Sequence, residues 1–215
     1  MSQQCAVCGQ IYGITHTCPG AIASTTLPPE KEWVRPKGFS PLYYVREAIG
    51  VARFDDGAIL GASRDELAFL YGALFWLIGR LLIYGVPMVP YIRAAMNGYT
   101  VNWARIEFVV AFSIVFDGFV FVVQYGLAHS LARWWFGARG SYFGILRAML
   151  MGSIVTWLYP IPYVGRWVAG IWMIAILMRV FEEVDGIERM KAFGLSAGIN
   201  ILFFAILLEL AAARR

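Results

Sequence analysis

Charged residues are scarce in this chain: they make up 15% of its 215 residues, compared with about 25% in soluble domains. Hydrophobic residues account for 60%, aromatic residues for 16%, and the mean hydropathy is +0.63. This composition excludes an ordinary soluble domain and is typical of a polytopic membrane protein. The formal net charge of +4 is modest, and basic loop residues explain it better than a nucleic-acid surface does.

The sequence also lacks the common signatures of export and catalysis. Residues 1–26 contain neither a basic start nor an apolar core, so we expect no cleavable signal peptide and an N-terminus that is not exported. The chain contains no P-loop, nucleophile elbow, H-E-x-x-H helix or dinucleotide fingerprint. We therefore expect a protein that is not an enzyme.

Cysteine is absent after residue 18, and all three cysteines lie within fourteen positions, together with one of the two histidines. Cys5 and Cys8 have the C-x2-C spacing that lets two thiolates face one zinc ion, and His16 and Cys18 would complete the site. Four ligands leave no open position, so residues 1–20 are predicted to form a structural zinc knuckle that folds on metal binding. The alternatives are a flexible tail with incidental cysteines and a redox function.

The region between this segment and the apolar part of the chain contains two sections. Residues 21–40 mix Ser, Thr, Pro and charge without periodicity, which predicts a linker. Residues 41–62 begin with a Ser40-Pro41 helix start and are amphipathic but too short to span, so they would lie at the membrane surface or pack beneath the bundle. Residues Ser63 to Glu66 match the capping-box pattern, which predicts that the next helix begins there.

Five apolar stretches follow, close to the ~20 residues that a bilayer requires. We predict an all-α bundle of about five transmembrane helices over residues 63–215. The third stretch is the least regular, because Arg147 lies in its first turn and Pro160 and Pro162 close it, and a re-entrant third segment would leave four spans. The predicted spans cover residues 67–91, 104–127, 143–160, 163–181 and 190–210.

The distribution of Lys and Arg predicts the orientation of this bundle. Twelve lie on the side of the N-terminus and five on the other side, or six against five without the long N-terminal region. The N-terminus is therefore predicted to be cytoplasmic and the C-terminus outside, and a reducing cytoplasm suits metal-binding cysteines. Aromatic residues typical of an interfacial belt cluster at the predicted outer turn: Trp157, Tyr159, Tyr163 and Trp167.

Two charged residues lie near the middle of the first two predicted spans, Arg80 and Asp117. An unpaired charge there costs at least about 2.5–3.5 kcal/mol. The two residues differ in depth by about 4–5 Å, within reach of an Arg side chain, so we predict an intramembrane ion pair. Its role is either a salt bridge that fixes helix packing, which we favour, or part of an ion or proton pathway.

The second predicted loop is basic and aromatic. His129 and three arginines, Arg133, Arg139 and Arg147, accompany Trp134 and Trp135. This mixture predicts contact of the arginines with anionic lipid headgroups. The acidic group of the fourth loop is expected either to pair with this loop or to be solvated; it comprises Glu182, Glu183, Asp185 and Glu188.

A small-xxx-small pattern from Gly194 to Gly198 allows close helix approach by another span or by a second copy of the chain.

Several short motifs, in their order and spacing over residues 64–212, resemble the Yip domain of Ypt/Rab-interacting membrane proteins in its bacterial form. The resemblance implies a helical membrane bundle with a cytoplasmic N-terminus, and in eukaryotic relatives a role in vesicle trafficking through small GTPases. This chain lacks the acidic-Tyr-Gly-Pro type motif of those relatives, and the Cys5–Cys18 segment is not part of the family core. The matching motifs are His129-Ser-Leu-Ala132, Phe136-Gly-Ala-Arg-Gly140-Ser-Tyr, Tyr159-Pro-Ile-Pro-Tyr-Val-Gly165, Gly170-Ile-Trp172 and Val184-Asp-Gly-Ile-Glu-Arg189.

These observations favour a non-enzymatic membrane adaptor whose cytoplasmic zinc knuckle recruits a protein partner. A small transporter or channel component using Arg80 and Asp117 is the alternative, and a lipid-organising protein acting through the Arg133–Arg147 loop is a third possibility.

Overall fold

Every regular element is helical within residues 40–212, the part of the chain that the computed structural model describes. The predicted all-α fold is confirmed for these residues, whereas the predicted zinc ligands and residues 21–39 of the linker lie outside them. The helices are α1 Pro41–Ala52, α2 Asp56–Arg64, α3 Glu66–Gly85, α4 Val89–Met96, α5 Trp103–Phe136, α6 Tyr142–Gly152, α7 Gly165–Asp185 and α8 Arg189–Ala212, with 3-10 segments at Val86–Met88 and Ser153–Leu158.

The long helices run alternately up and down. The ends of α5 and α7 meet, since the amide N–H of Arg139 donates to the carbonyl of Asp185 at 3.3 Å. The start of α6 lies beside the end of α2, where Arg147 Nη1 donates to the Ser63 carbonyl at 3.4 Å. We call this the α1–α2 end, and we call the region of the α6–α7 connection at residues 159–164, on the opposite side, the distal end; α4 and the start of α5 extend beyond it.

Three helical stretches are long and apolar enough to cross a membrane: Glu66–Met96, Trp103–Phe136 and Arg189–Ile206. They correspond to the first, second and fifth predicted spans. The third prediction coincides with a shorter apolar helix, Tyr142–Leu158. The fourth coincides with α7, whose last two turns carry several charged residues. The structure therefore supports three candidate spans, and the five-span arrangement stays a prediction.

Helix α6 is the centre of the fold, because it packs against α1, α2, α3, α5 and α7. Its sequence is apolar around the whole circumference, which suits a helix with no solvent-facing side. Only Tyr142, Phe143 and Arg147 escape full burial. The buried residues are Gly144, Ile145, Leu146, Ala148, Met149, Leu150, Met151 and Gly152.

The chain continues from α6 as a 3-10 segment whose side chains bond to nearby backbone carbonyls. Ser153 Oγ donates to the Leu150 carbonyl at 2.6 Å, and Thr156 Oγ1 donates to the Ser153 carbonyl at 2.7 Å. Trp157 Nε1 donates to the Phe75 carbonyl of α3 at 2.9 Å. These bonds provide partners for buried polar groups where the helix changes its winding.

The corner between α2 and α3 corrects the predicted capping box. Ser63 belongs to α2 and its hydroxyl donates to the Leu60 carbonyl at 2.8 Å. Asp65 is the N-cap of α3 instead, accepting the Leu67 amide at 3.0 Å. The reason is that Asp65 has an extended backbone, with φ −82° and ψ 120°, which ends one helix and begins the next without a linker.

Helices α1 and α2 pack against the bundle and do not extend away from it. The buried face of α1 carries Tyr44, Ala48 and Val51. Phe54, in the turn that follows, has a φ of 62°, uncommon for a residue with a side chain. Its ring stacks on Trp172 of α7 with centroids 5.7 Å apart.

Gly72 permits the close approach of α3 to α6, so Gly72→Ala is expected to destabilise the bundle. A Cβ at this position would lie 2.7 Å from Leu150 Cβ and 2.9 Å from the Met151 backbone nitrogen. Overpacking of this kind costs about 1–3 kcal/mol. Thermal unfolding in detergent should show a lower midpoint, whereas the control Gly85→Ala, on the same helix with no neighbour within 4 Å, should not. Equal midpoints for the two variants would contradict the close packing.

Candidate functional site

Arg80 of α3 and Asp117 of α5 form an ion pair, with 3.2 Å between Arg80 Nη1 and Asp117 Oδ2. The hydroxyl of Tyr84, one turn beyond Arg80, donates to the same carboxylate oxygen at 2.6 Å. The Arg80 guanidinium carbon lies 5.4 Å from the centre of the Trp76 ring, within cation–π range. A charge-assisted bond, a hydroxyl and an aromatic face thus compensate two charges in a largely apolar setting.

The ion pair lies beside a cavity with a volume of about 860 Å³. The cavity exists because α6 and α7 turn back at residues 159–164, while α5 continues for about 21 Å beyond Asp117 toward its N-terminus. Arg80 and Asp117 form one wall, and the α6–α7 connection and Arg166 form another.

A second polar contact joins α5 to α8 deeper in the bundle. Gln124 Nε2 donates to Asn200 Oδ1 at 3.0 Å, and Asn200 Nδ2 donates to the Ser196 carbonyl at 2.8 Å. Both side chains are half-buried. An interhelical amide bond of this kind holds two apolar helices in register.

At the α1–α2 end, His129 of α5 lies beside Asp185 of α7, with 3.7 Å between Nδ1 and Oδ2. The Asp185 side chain is fully buried, and this burial raises its pKa although the nearby His129 acts in the opposite direction. Gly140 fits closely over the carboxylate: a Cβ there would collide with Asp185 Oδ1 and lie 2.6 Å from the Val184 carbonyl. Three of the Yip-like motifs thus meet at one buried point.

Asp185 alone of the four acidic residues lies beside the predicted basic loop, through His129. The other three pair with neighbouring basic residues and not, among the described residues, with Arg133, Arg139 or Arg147. Arg179 binds Glu182 and Glu183 on its own helix and Asp56 at the start of α2. Lys191 Nζ lies 2.8 Å from Glu188 Oε2. This network therefore joins α7 to α2.

The three arginines predicted to contact lipid headgroups do not share one surface. Arg133 and Arg139 are exposed, and Trp134 and Trp135 beside them are 81% and 62% exposed. Arg147 is half-buried and donates to the Ser63 carbonyl. Because Arg147 lies on the buried helix α6, its side chain is less accessible to lipid headgroups than those of Arg133 and Arg139 are.

A buried carboxyl pair lies where α1 meets the start of α3. Glu47 is 6% exposed and Asp65 is 1% exposed, and the Tyr44 hydroxyl donates to Asp65 Oδ2 at 2.6 Å. Burial, reinforced by the charge of Asp65 and opposed by a hydrogen bond from Tyr43, raises the pKa of Glu47 to about 7. Sequence reasoning missed this site, because nothing in the spacing of Glu47 and Asp65 indicates their proximity.

The predicted zinc ligands Cys5, Cys8, His16 and Cys18 lie outside the described residues, which themselves contain no cluster of His, Cys, Asp and Glu able to hold a metal ion. Sequence reasoning also missed Tyr84. Its signal was its position four residues after Arg80, on the same face of α3.

No family model, curated protein or solved structure matches this chain. The resemblance to the Yip domain therefore stays a prediction based on the motifs.

Asp117→Asn is expected to lower the free energy of unfolding by about 1–3 kcal/mol, because Arg80 loses its counter-charge. Tyr84→Phe should cost less, about 0.5–1.5 kcal/mol. Denaturant titration in mixed micelles measures both, with exposed Glu107→Gln on the same helix as the control. In the double variant Arg80→Gln/Asp117→Asn the loss should be smaller than the sum of the single losses; strict additivity would show that the pair is not coupled.

The raised pKa of Glu47 predicts that stability falls as pH rises. In the folded chain the pKa of Glu47 is about 7, against 4.5 for the free group. Between these two values the folded state holds a proton that the unfolded state has released, so the free energy of unfolding falls as the pH rises through this range and stays low above it. Glu47→Gln should therefore become more stable than the natural chain by on the order of 2–3 kcal/mol at about pH 8, with little difference at about pH 5. Unfolding midpoints across this range test it, with exposed Glu66→Gln as the control. Parallel pH profiles for the natural chain and Glu47→Gln would refute the assignment.

Proposed function

We propose that this chain is a non-enzymatic integral membrane protein, a Yip-type bundle of five spanning helices that acts as an adaptor or membrane organiser. Its cytoplasmic N-terminal segment would bind zinc through Cys5, Cys8, His16 and Cys18 and recruit a protein partner. Three thiolates and one imidazole are a donor set that fits Zn²⁺, and the bound metal would supply the folding energy of so short a segment.

Helix lengths support five spans. Helix α6 and its 3-10 continuation together measure about 28 Å, and the twenty-one residues of α7 measure about 31 Å. Both are close to the ~30 Å hydrocarbon core of a bilayer. The acidic residues of α7 and Arg179 all lie in its last two turns, at the α1–α2 end, where Arg179 pairs with the glutamates and with Asp56, and Asp185 is buried beside His129.

The observation that best supports the adaptor proposal is the attachment of α1 and α2 to the bundle. Trp172 Nε1 of α7 donates to the Ala52 carbonyl at the end of α1 at 2.7 Å. Arg179 binds Asp56, and Tyr44 binds Asp65 at the start of α3. Because α1 begins at Pro41, a partner bound by residues 1–20 would be tethered to a firmly anchored helix through a linker of about twenty residues.

A transporter or channel component is the second candidate, favoured by the cavity beside Arg80 and Asp117. The bonding of Asp117 to two donors argues against it, because a carboxylate that takes up and releases protons or ions must exchange its partners. A lipid-organising role is favoured by exposed Arg133 and Arg139 beside Trp134 and Trp135.

The adaptor proposal predicts a partner that depends on the N-terminal segment. Crosslinked pull-down from native membranes with the full chain should capture one soluble protein in near-stoichiometric amount. A version lacking residues 1–30, and the variant Cys5→Ser, should lose it. Gln4→Ala, adjacent to the cysteine, is the matched control and should retain both the partner and about one zinc ion per chain by metal analysis.

The same set of variants separates the two candidate functions. If the chain is an adaptor, the Asp117→Asn variant should still capture the protein partner, and only its free energy of unfolding should change. If Cys5→Ser is silent while Asp117→Asn abolishes a measured flux in proteoliposomes, the adaptor proposal fails and the transporter replaces it.

A further inference from the structure

The distal cavity combines positive charge with apolar walls. Two of its lining residues are arginines, Arg80 and Arg166, and one is an acid, Asp117, so its formal charge is +1. Other lining residues are apolar, among them Leu82, Val86 and Ile161.

The two arginines differ in how far they are already paired. Arg80 binds Asp117 through Nη1, while its Nε is buried with no hydrogen-bond partner among the described residues. Arg166 is exposed and forms no hydrogen bond or ion pair with any described residue. The cavity is thus lined by one guanidinium without a counter-charge among the described residues, that of Arg166, and by a second, that of Arg80, which is already paired with Asp117.

Position along the bundle indicates which anion would reach this cavity. Arg166 lies in the first turn of α7, about 28 Å from Asp185 at the other end of the helix. That distance approximates the hydrocarbon thickness, so with the α1–α2 end at one membrane surface Arg166 lies at the level of the opposite headgroups, while Arg80, about 21 Å along α3 from Glu66, lies within the bilayer. Trp167 and Tyr163, which are 70% and 96% exposed, line its rim, as aromatic residues do at a membrane interface.

We propose that the distal cavity binds a phosphate group through Arg166 and Arg80, either as the headgroup phosphate of a phospholipid or as free phosphate. Arg166 makes a bidentate contact with the phosphate oxygens, and Arg80 contributes a second contact while it keeps Asp117. In the lipid case the acyl chains leave the cavity along the apolar surface that Leu82 and Val86 help to form. Helix α7 begins at this wall without a side-chain cap, and its N-terminal dipole adds to the attraction.

This site is separate from Arg133 and Arg139, which lie at the α1–α2 end, and it goes beyond the proposed adaptor function. It does not depend on residues 1–39, so loss of phosphate binding and loss of a protein partner can be observed independently.

Isothermal titration calorimetry of the full-length chain in a non-ionic detergent tests the proposal. One arm uses dihexanoyl phosphatidic acid and the other inorganic phosphate. Arg166→Gln should weaken binding about tenfold, the effect of losing one charge-assisted contact. Arg93→Gln is the matched control, an exposed arginine of α4 that does not line the cavity, and it should bind as the natural chain does. Arg166 contacts no other described side chain through its charge, so Arg166→Gln is expected to fold normally, which its helical circular dichroism checks.

The two arms distinguish the source of the phosphate. Saturation by phosphatidic acid, without competition from inorganic phosphate, identifies a lipid site; saturation by inorganic phosphate, weakened by Arg166→Gln, identifies a site for the free anion. Arg80→Lys provides a second variant that keeps the positive charge beside Asp117 and removes the planar fork, and it should also weaken binding. Equal affinity in Arg166→Gln and Arg93→Gln, or no saturable binding in either arm, would overturn the proposal.

Discussion

The rest of the structure depends on the close packing of helices around α6. In a bilayer, lipid tails are as apolar as the helices, so helices associate mainly through van der Waals contact and interhelical hydrogen bonds. Helix α3 reaches the backbone of α6 because Gly72 has no side chain. The bond from Trp157 Nε1 to the Phe75 carbonyl then holds α3 against the 3-10 continuation of α6. Both contacts bring α3 close to residues 142–158, most of which are buried, while Phe143 is exposed on the outside.

Polar residues inside the bundle occur in groups that compensate one another. Arg80, Asp117 and Tyr84 form one such group, and Gln124 with Asn200 forms another. An isolated charge or amide would be costly in these surroundings. Each group also joins helices that are distant in sequence, so the same bonds that satisfy polar atoms determine which helices become neighbours.

The two ends of the bundle differ in chemistry. At the α1–α2 end several acidic and basic side chains are paired, as with Arg179 and Asp56, while Arg133 and Arg139 are exposed, and two short helices pack against the bundle. At the distal end α6 and α7 turn back at residues 159–164, and Arg166 forms no ion pair with any of the described residues. This asymmetry is consistent with the proposed recruitment of a protein at the first end and the proposed phosphate binding at the second.

The sequence by itself determined the helical class and, to within two residues, where each long helix starts, because apolar run length and turn residues are local properties; α5 continues nine residues beyond the predicted end at residue 127. The cysteine spacing and the central positions of Arg80 and Asp117 were equally accessible. Only the tertiary structure decided that Asp65 and not Ser63 caps α3, that Arg147 turns inward, and that Glu47 lies close to Asp65. It also brought His129, Gly140 and Asp185 together. These features depend on which helix faces meet, and that choice is made by packing between segments far apart in the chain, which no local pattern encodes.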